Sequence, residues 1–320
     1  MEKKNFLVSV IIPVYKGEAT VGRLADVLVG EMGPRYGLEI VFVNDGSPDN
    51  SEAACIAAYQ KYPSVVRFYS LAKNFSEHNA VMAGLNNCRG DYAVIMDDDF
   101  QNPVSEAIKL VEHISSHDFD VVYSYYPEKK HSFFRNAGSR FNDWVANFML
   151  NKPKDLYLCS FKAVNRFLID QIIKYDGPSP YVDGLILRAT NHIGKIEVLH
   201  EERAGGRSSY TLKKLFSVWL NTFINFSIMP LRIMTGAGFI FAALAFLLAI
   251  ETILERIFNW NPLIPAGYAM LAVLLAFFAG AQLIAIGIAG EYLGRIFLFQ
   301  NKKPQFVIRK RFEQDGKTGV

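Results

Sequence analysis

The sequence predicts an α/β fold: a doubly wound, mainly parallel sheet followed by an interfacial helix and two transmembrane helices. Three observations carry that expectation. Five apolar runs rich in β-branched and aromatic residues recur within the first 126 positions. They show little alternation, as strands covered on both faces do. Helix-like stretches separate them, and alternating β and α implies parallel pairing through crossovers. Residues 233–250 and 267–290 then carry no charged side chain, and runs of that length approach what a bilayer core of roughly 30 Å requires.

The elements follow in order. "VSVIIPVY" (8–15) is the first strand, and a helix is expected over 19–32. "EIVFVNDG" (39–46) is the second, followed after Ser47-Pro48-Asp49 by a helix over 50–61. "VRFYSL" (66–71) precedes a helix over 76–88, and "YAVIMDD" (92–98) precedes one over 104–116 that opens just after Pro103. "DVVYSYY" (120–126) closes the series. In parallel sheets of this kind ligands sit at the carboxyl ends of the strands. The polar punctuation falls there: Asp45-Gly46-Ser47, Lys73-Asn74 and Asp97 to Gln101.

The rest of the chain changes character. In 212–229, Leu212, Leu215, Phe216, Trp219, Phe223 and Phe226 share one helical face, with Lys213, Lys214, Ser217, Asn221 and Asn225 mostly opposite. Such a helix lies in a membrane interface or, alternatively, in the core of the preceding domain. The expected organisation is a cytoplasmic domain (1–210), an amphipathic juxtamembrane helix (211–231), a first span (232–254), an extracytoplasmic loop (255–265), a second span (266–292) and a basic cytoplasmic tail (293–320). Two buried core helices are the alternative to the spans. Only Arg256 is basic between them, whereas Lys213, Lys214 and Arg232 precede the first, and Arg295, Lys302, Lys303, Arg309, Lys310 and Arg311 follow the second. The positive-inside rule then puts both termini in the cytoplasm, on an inner (plasma) membrane protein. "KPQFVIRKRF" (303–312) is a candidate strand or arm for a neighbouring copy. Neither apolar run is N-terminal, so a cleaved signal peptide is not expected.

Composition excludes several classes. A net charge of +3 with 20% charged residues argues against a nucleic-acid or other polyanion partner. No GxGxxG or GxxxxGK[ST] is present, so dinucleotide and P-loop readings have no support. Cys55, Cys88 and Cys159 lack CxxC spacing and read as buried reduced thiols.

The chemistry concentrates in "YAVIMDDDFQNP" (92–103), where three carboxylates follow an apolar run. If the chain stays extended, Asp97, Asp99 and Gln101 share a face and Asp98 points away. Two carboxylates and an amide carbonyl form a hard, all-oxygen half-shell for Mg²⁺ or Mn²⁺, completed by water and substrate phosphate. The alternative is that the acids merely cap the next helix.

Together "VSVIIPVY", "VFVNDGSPDNS", "KNFSEHNAVMAGL", "GDYAVIMDDDFQNP" and "RAGGRSSYTLKKL", followed by two apolar runs, resemble the polyprenyl-phosphate glycosyltransferases of family 2. These are GT-A-fold, Rossmann-like enzymes related to dolichol-phosphate mannose synthase, and the bacterial undecaprenyl-phosphate branch is most similar. The resemblance covers nearly the whole chain in motif order. It implies transfer of one sugar from a nucleotide diphosphate sugar, expected to be a UDP-sugar, to undecaprenyl phosphate at the cytoplasmic membrane face. The product would serve cell-envelope glycan or lipid A modification. By the same resemblance Pro13, Tyr15 and Glu18 line the nucleoside pocket, Asp45 recognises the base, Asp97 and Asp98 lie at the donor, and Asp97, Asp99 and Gln101 hold the metal. A homo-oligomer, with relatives suggesting a tetramer, is also implied.

The acceptor phosphate and the donor diphosphate bring negative charges together, which Arg and Lys must screen. Two clusters are candidates: Arg203, Arg207, Ser208 and Tyr210, and Arg135, Ser139 and Arg140. A solvated charged face or lipid-headgroup contact is the alternative for each. The chain departs from the family in three places: Lys16-Gly17 where many relatives read Asn-Glu, Ser209 where Lys is usual, and Ser160-Phe161-Lys162 without a preceding acid. A phosphate monoester, with a second pKa of about 6, is already a dianion near neutral pH. It needs positioning more than deprotonation. Asp98, Asp155 and Asp183 are the candidate carboxylates for orienting acceptor or sugar, and direct in-line attack implies inversion. A processive polysaccharide synthase is disfavoured by the absence of QxxRW, and a catalytically silent membrane scaffold by the intact Asp45, Asp97, Asp99 and Gln101.

Overall fold

The computed structural model describes residues 4–126, 156–199 and 267–314, with isolated helical positions between 236 and 258. The chain forms two compact units, Met1–Ser209 with Lys302–Val320, and Tyr210–Asn301.

In the first unit β1 (Leu7–Val14), α1 (Val21–Met32), β2 (Gly37–Asn44), α2 (Ser51–Lys61), β3 (Val66–Leu71), α3 (Glu77–Asn87), β4 (Tyr92–Ile95), α4 (Val104–Ser116) and β5 (Val121–Tyr125) alternate as expected. Next come β6 (Lys162–Asn165), α5 (Arg166–Ile172), α6 (Val182–Ala189) and β7 (Ile193–Glu197). The sheet closes with β8 (Ile308–Phe312), in the order β7-β5-β6-β4-β1-β2-β3-β8. β4, β1, β2 and β3 are mutually parallel. β6 runs antiparallel between β4 and β5, and β8 antiparallel to β3. The sheet is therefore mixed around a parallel centre.

The core explains the helix phases. On one face Val8, Val10, Ile12 and Val14 of β1 meet Val21, Leu24, Ala25, Leu28 and Met32 of α1, with α2 and α4 alongside. Those α1 positions follow the 3.6-residue period. The opposite face of β1 and β2, including Ile11, is covered by the buried stretch Asn79–Leu85 of α3. Burying both faces is why the strands read as unbroken apolar runs rather than alternating ones. Cys55, Cys88 and Cys159 are all buried free thiols, as expected.

Two expectations need correction. β4 ends at Ile95, not Asp98, because its neighbour β6 begins at Lys162, the register partner of Ile95. The tail 303–312 does not reach for another copy: β8 pairs with this chain's own β3, and Phe312 stacks on Phe68 at 5.5 Å between centroids. Lys310 Nζ donates to Glu52 at 2.5 Å, and the buried Gln305 amide donates to the Tyr175 and Gly177 carbonyls. Backbone bonds, an ion pair and buried aromatic area together outweigh an exposed edge.

In the second unit α7 (Gly267–Gln300) runs for 34 residues. Leu275, Leu283 and Ile286 on it are 63%, 70% and 67% exposed. Judged on the residues whose side chains are described, no helix is long and apolar enough to cross a membrane. Only scattered residues of 232–254 are described. The two expected spans thus have no support among the described residues, and the amphipathic stretch 211–231 lies outside them.

Candidate active site

The loops at the carboxyl ends of the neighbouring strands β1, β2 and β4 form the candidate site, called the crevice below, and hydrogen bonds tie the first two loops together. The Lys16 amide donates to Ser47 Oγ at 3.2 Å, and the Gly17 amide to Ser51 Oγ at 2.8 Å. Asn50 donates to Glu18 through its backbone (3.3 Å) and its side chain (3.1 Å). Glu18 therefore joins the β1–α1 and β2–α2 loops. Pro13 is half-buried in β1, while Tyr15 is 51% exposed at the rim with Lys16 Nζ 5.7 Å from its ring.

Asp45 is buried at the end of β2 and accepts from the Phe75 and Ser76 amides at 2.6 and 3.0 Å. Burial raises its pKa, and those two amides pull it back. Its carboxylate therefore holds the loop between β3 and α3. Gly46 next to it has φ of 61°, and a Cβ there would lie 2.5 Å from backbone atoms of Lys73 and Asn74. The left-handed backbone and the backbone contact both exclude a side chain. Gly46→Ala should cost about 2 kcal/mol or more in chemical denaturation; a loss under about 0.5 kcal/mol would contradict this contact.

Beyond β4 the chain is not extended. Phe100 has φ of 59°, and the Gln101 amide turns back onto Asp99 Oδ1 at 3.1 Å. Strand alternation therefore does not place Asp97, Asp99 and Gln101 on one face; they stand on a kinked loop beyond the end of β4. Ser160 Oγ donates to Asp97 at 3.0 Å. Asp98 turns toward α1, where a Cβ on Gly17 would meet Asp98 Oδ2 at 2.0 Å. Asn102 is buried and accepts from Tyr126, and α4 opens after Pro103 without a side-chain cap. The three acids thus do not cap α4. Among the described residues no three His, Cys, Asp or Glu side chains form a ready-made metal shell. The half-buried carboxylates and amide of one short loop nonetheless supply hard oxygen donors, the set suited to Mg²⁺ or Mn²⁺, which keep water and substrate phosphate as their other ligands.

Asp183 opens α6 and is buried. Lys162 Nζ donates to its Oδ1, and the Tyr123 hydroxyl donates to the same atom at 2.9 Å. Lys162 Nζ also lies 5.0 Å from the centre of the Tyr123 ring. Burial, then Asp183, push the Tyr123 phenol well up, so it remains a donor. This buried pair joins β6 to α6. Tyr181 just before α6 packs edge-on against His78 of α3, at 5.3 Å between centroids. Desolvation lowers the His78 pKa, opposed by Asp183.

Glu77 is the acid that motif reading did not assign, although it stands inside "KNFSEHN". Its side chain is exposed to solvent. Desolvation pushes it up to about 7; Asp97 adds to the rise and Lys162 opposes it. A raised folded pKa means that the native state holds its proton more tightly than the unfolded chain. The associated stability is complete below the unfolded value and is lost as pH rises through about 7. In metal-free protein Glu77→Gln should match wild type at pH 4 and exceed it at pH 8 by denaturant midpoint. Equal midpoints at both pH values would remove the effect. Arg135, Ser139, Arg140, Asp155, Arg203, Arg207, Ser208 and Tyr210 all lie outside the described residues.

The chain is similar to known proteins along most of its length. The family described as Glycosyl transferase family 2 matches residues 9–173. An undecaprenyl-phosphate 4-deoxy-4-formamido-L-arabinose transferase from Serratia proteamaculans is 31% identical, covering 95% of this chain and 93% of its own. The transferase of the same description from Pseudomonas aeruginosa is 31% identical, over 95% of this chain and 90% of its own. Glucosyl-3-phosphoglycerate synthase of Mycobacterium tuberculosis superposes with a TM-score of 0.51 at 17% identity, covering 69% of this chain and 79% of its own, a likeness of fold. Its form with Mn²⁺ and UDP-glucose superposes with a TM-score of 0.50 at 19% identity, over 69% of this chain and 77% of its own. The crevice at the carboxyl ends of parallel strands, the acidic loop after β4 and the relatives spanning nearly the full chain lead to one assignment: the chain belongs to glycosyl transferase family 2, among its polyprenyl-phosphate glycosyltransferases.

Proposed function

We propose that this enzyme transfers a single sugar, with inversion, from a UDP-sugar to undecaprenyl phosphate at the cytoplasmic face of a membrane. The observation that carries the reading is the kinked loop Asp97–Gln101 at the carboxyl end of β4, in a chain whose relatives, named undecaprenyl-phosphate sugar transferases, match 95% of its length. The donor nucleoside enters between Tyr15 and the loop that Asp45 holds. Its diphosphate reaches Asp97, Asp99 and Gln101, which would hold Mg²⁺ or Mn²⁺. When bound, the metal neutralises charge developing on the leaving diphosphate. The acceptor phosphate, already a dianion, attacks without a dedicated base. Lys162 and Asp183 fix the wall against which the acceptor side of the crevice is built. The two basic clusters at 135–140 and 203–210 take the acceptor phosphate in this reading.

A membrane location is supported by the exposed Leu275, Leu283 and Ile286 and by the absence of charge over 267–290. Two spans, at 232–254 and 266–292, with both termini cytoplasmic, complete the proposal. It is tested by incubating the full chain in membranes with labelled UDP-sugars, undecaprenyl phosphate and Mn²⁺ or Mg²⁺. A lipid carrying one sugar is expected. No glycolipid with any donor would overturn the reading, and a polymer would replace it with a processive synthase.

A further inference from the structure

The acidic loop is held in a backbone conformation that its own sequence does not favour. Phe100 sits at φ of 59°, in the left-handed region that a bulky L-residue rarely occupies. Such a residue persists only where its surroundings over-determine it. Two features of α1 and the turn before it supply that determination from opposite ends of the loop. The Arg23 guanidinium carbon stands 4.9 Å from the centre of the Phe100 ring, within cation–π range. At the other end Gly17 lacks the side chain that would collide with Asp98 Oδ2, so the Asp98 carboxylate turns into that space. Both are firmly based. Leu24 and Ala25 beside Arg23 are fully buried, and the Gly17 amide is bonded to Ser51 Oγ at 2.8 Å.

We propose that Arg23 is a positioning residue for donor and metal binding: by stacking on Phe100 it stabilises the left-handed kink that presents Asp97, Asp99 and Gln101 to the nucleotide diphosphate. The guanidinium acts through the ring and touches neither donor nor acceptor. Gly17 serves the same end by leaving room for Asp98. This assignment rests on the metal-dependent reading of the crevice.

The test uses the full chain in detergent, with binding of Mn²⁺ in the presence of UDP followed by electron paramagnetic resonance, and the thermal midpoint recorded in parallel. Removing one exposed cation–π contact corresponds to about two- to fivefold in an equilibrium constant. Arg23→Ala should weaken Mn²⁺–UDP binding by about that factor with no change in the metal-free midpoint, and Arg23→Lys should recover part of the loss. In a Phe100→Leu background, Arg23→Ala should have no further effect. Wild-type affinity in Arg23→Ala would overturn the assignment. So would an undiminished loss in the Phe100→Leu background, because Arg23 would then act directly on the diphosphate. Absence of any Mn²⁺ uptake by wild type would overturn the metal reading itself, and this assignment with it.

Discussion

Asp99→Ala is expected to cut sugar transfer by roughly a thousandfold while the protein stays folded. Asp99 lies on the loop beyond β4, where its Oδ1 accepts the Gln101 amide at 3.1 Å. Alanine removes a donor oxygen at the proposed metal position and also the bond that closes the turn around Phe100. Its effect on stability is small by comparison, because the loop is half-buried and the core strands beneath it do not depend on it. Turnover should fall far more than the denaturation midpoint. Steady-state transfer from labelled donor, set beside a denaturant titration, separates the two. Full activity in Asp99→Ala would remove Asp99 from the metal site. Loss of activity matched by unfolding would make its role structural.

Lys162→Met should be the most destabilising single change near the crevice. Lys162 and Asp183 are 2% and 7% exposed, and they share Oδ1 of Asp183 with the Tyr123 hydroxyl. Methionine fills the volume but strands a buried carboxylate with one neutral donor. Breaking one side of such a pair costs about 3–5 kcal/mol, a large share of the roughly 5–15 kcal/mol that stabilises a domain. Replacing both, as Lys162→Met with Asp183→Leu, should return most of that loss, since no buried charge then remains. The two variants compared by chemical denaturation decide the point. A single variant within about 1 kcal/mol of wild type would show that water already reaches the pair. The double variant also separates stability from catalysis: a stable but slow enzyme would mean that the pair is retained because it shapes the crevice wall.

The local features of this protein were determined by its sequence alone. The strands β1, β2, β3 and β5, the helices between the strands and the start of α4 after Pro103 appeared within a residue or two of where periodicity and turn chemistry put them, and β4 began where expected but ended three residues early. Each depends on residues close together in the chain: unbroken apolar runs for doubly covered strands, and a 3.6-residue repeat for α1. The run of acids after β4 was legible for the same reason, as a short motif after a buried strand, whereas Glu77 was not. What only the tertiary structure decided depends on partners far apart. Nothing local shows that β6 inserts antiparallel between β4 and β5, because a four-residue strand has no periodicity to read. β8 returns to its own β3 through contacts such as Lys310 to Glu52, 258 positions apart. The kink at Phe100, the Ser160 hydroxyl on Asp97 and the buried Lys162–Asp183 pair belong with these. A sequence states which groups are present and how they repeat. Which charge is buried against which, and which strained backbone is held in place, follows only once packing brings distant residues together, because burial and electrostatic coupling depend on distance in space and not along the chain.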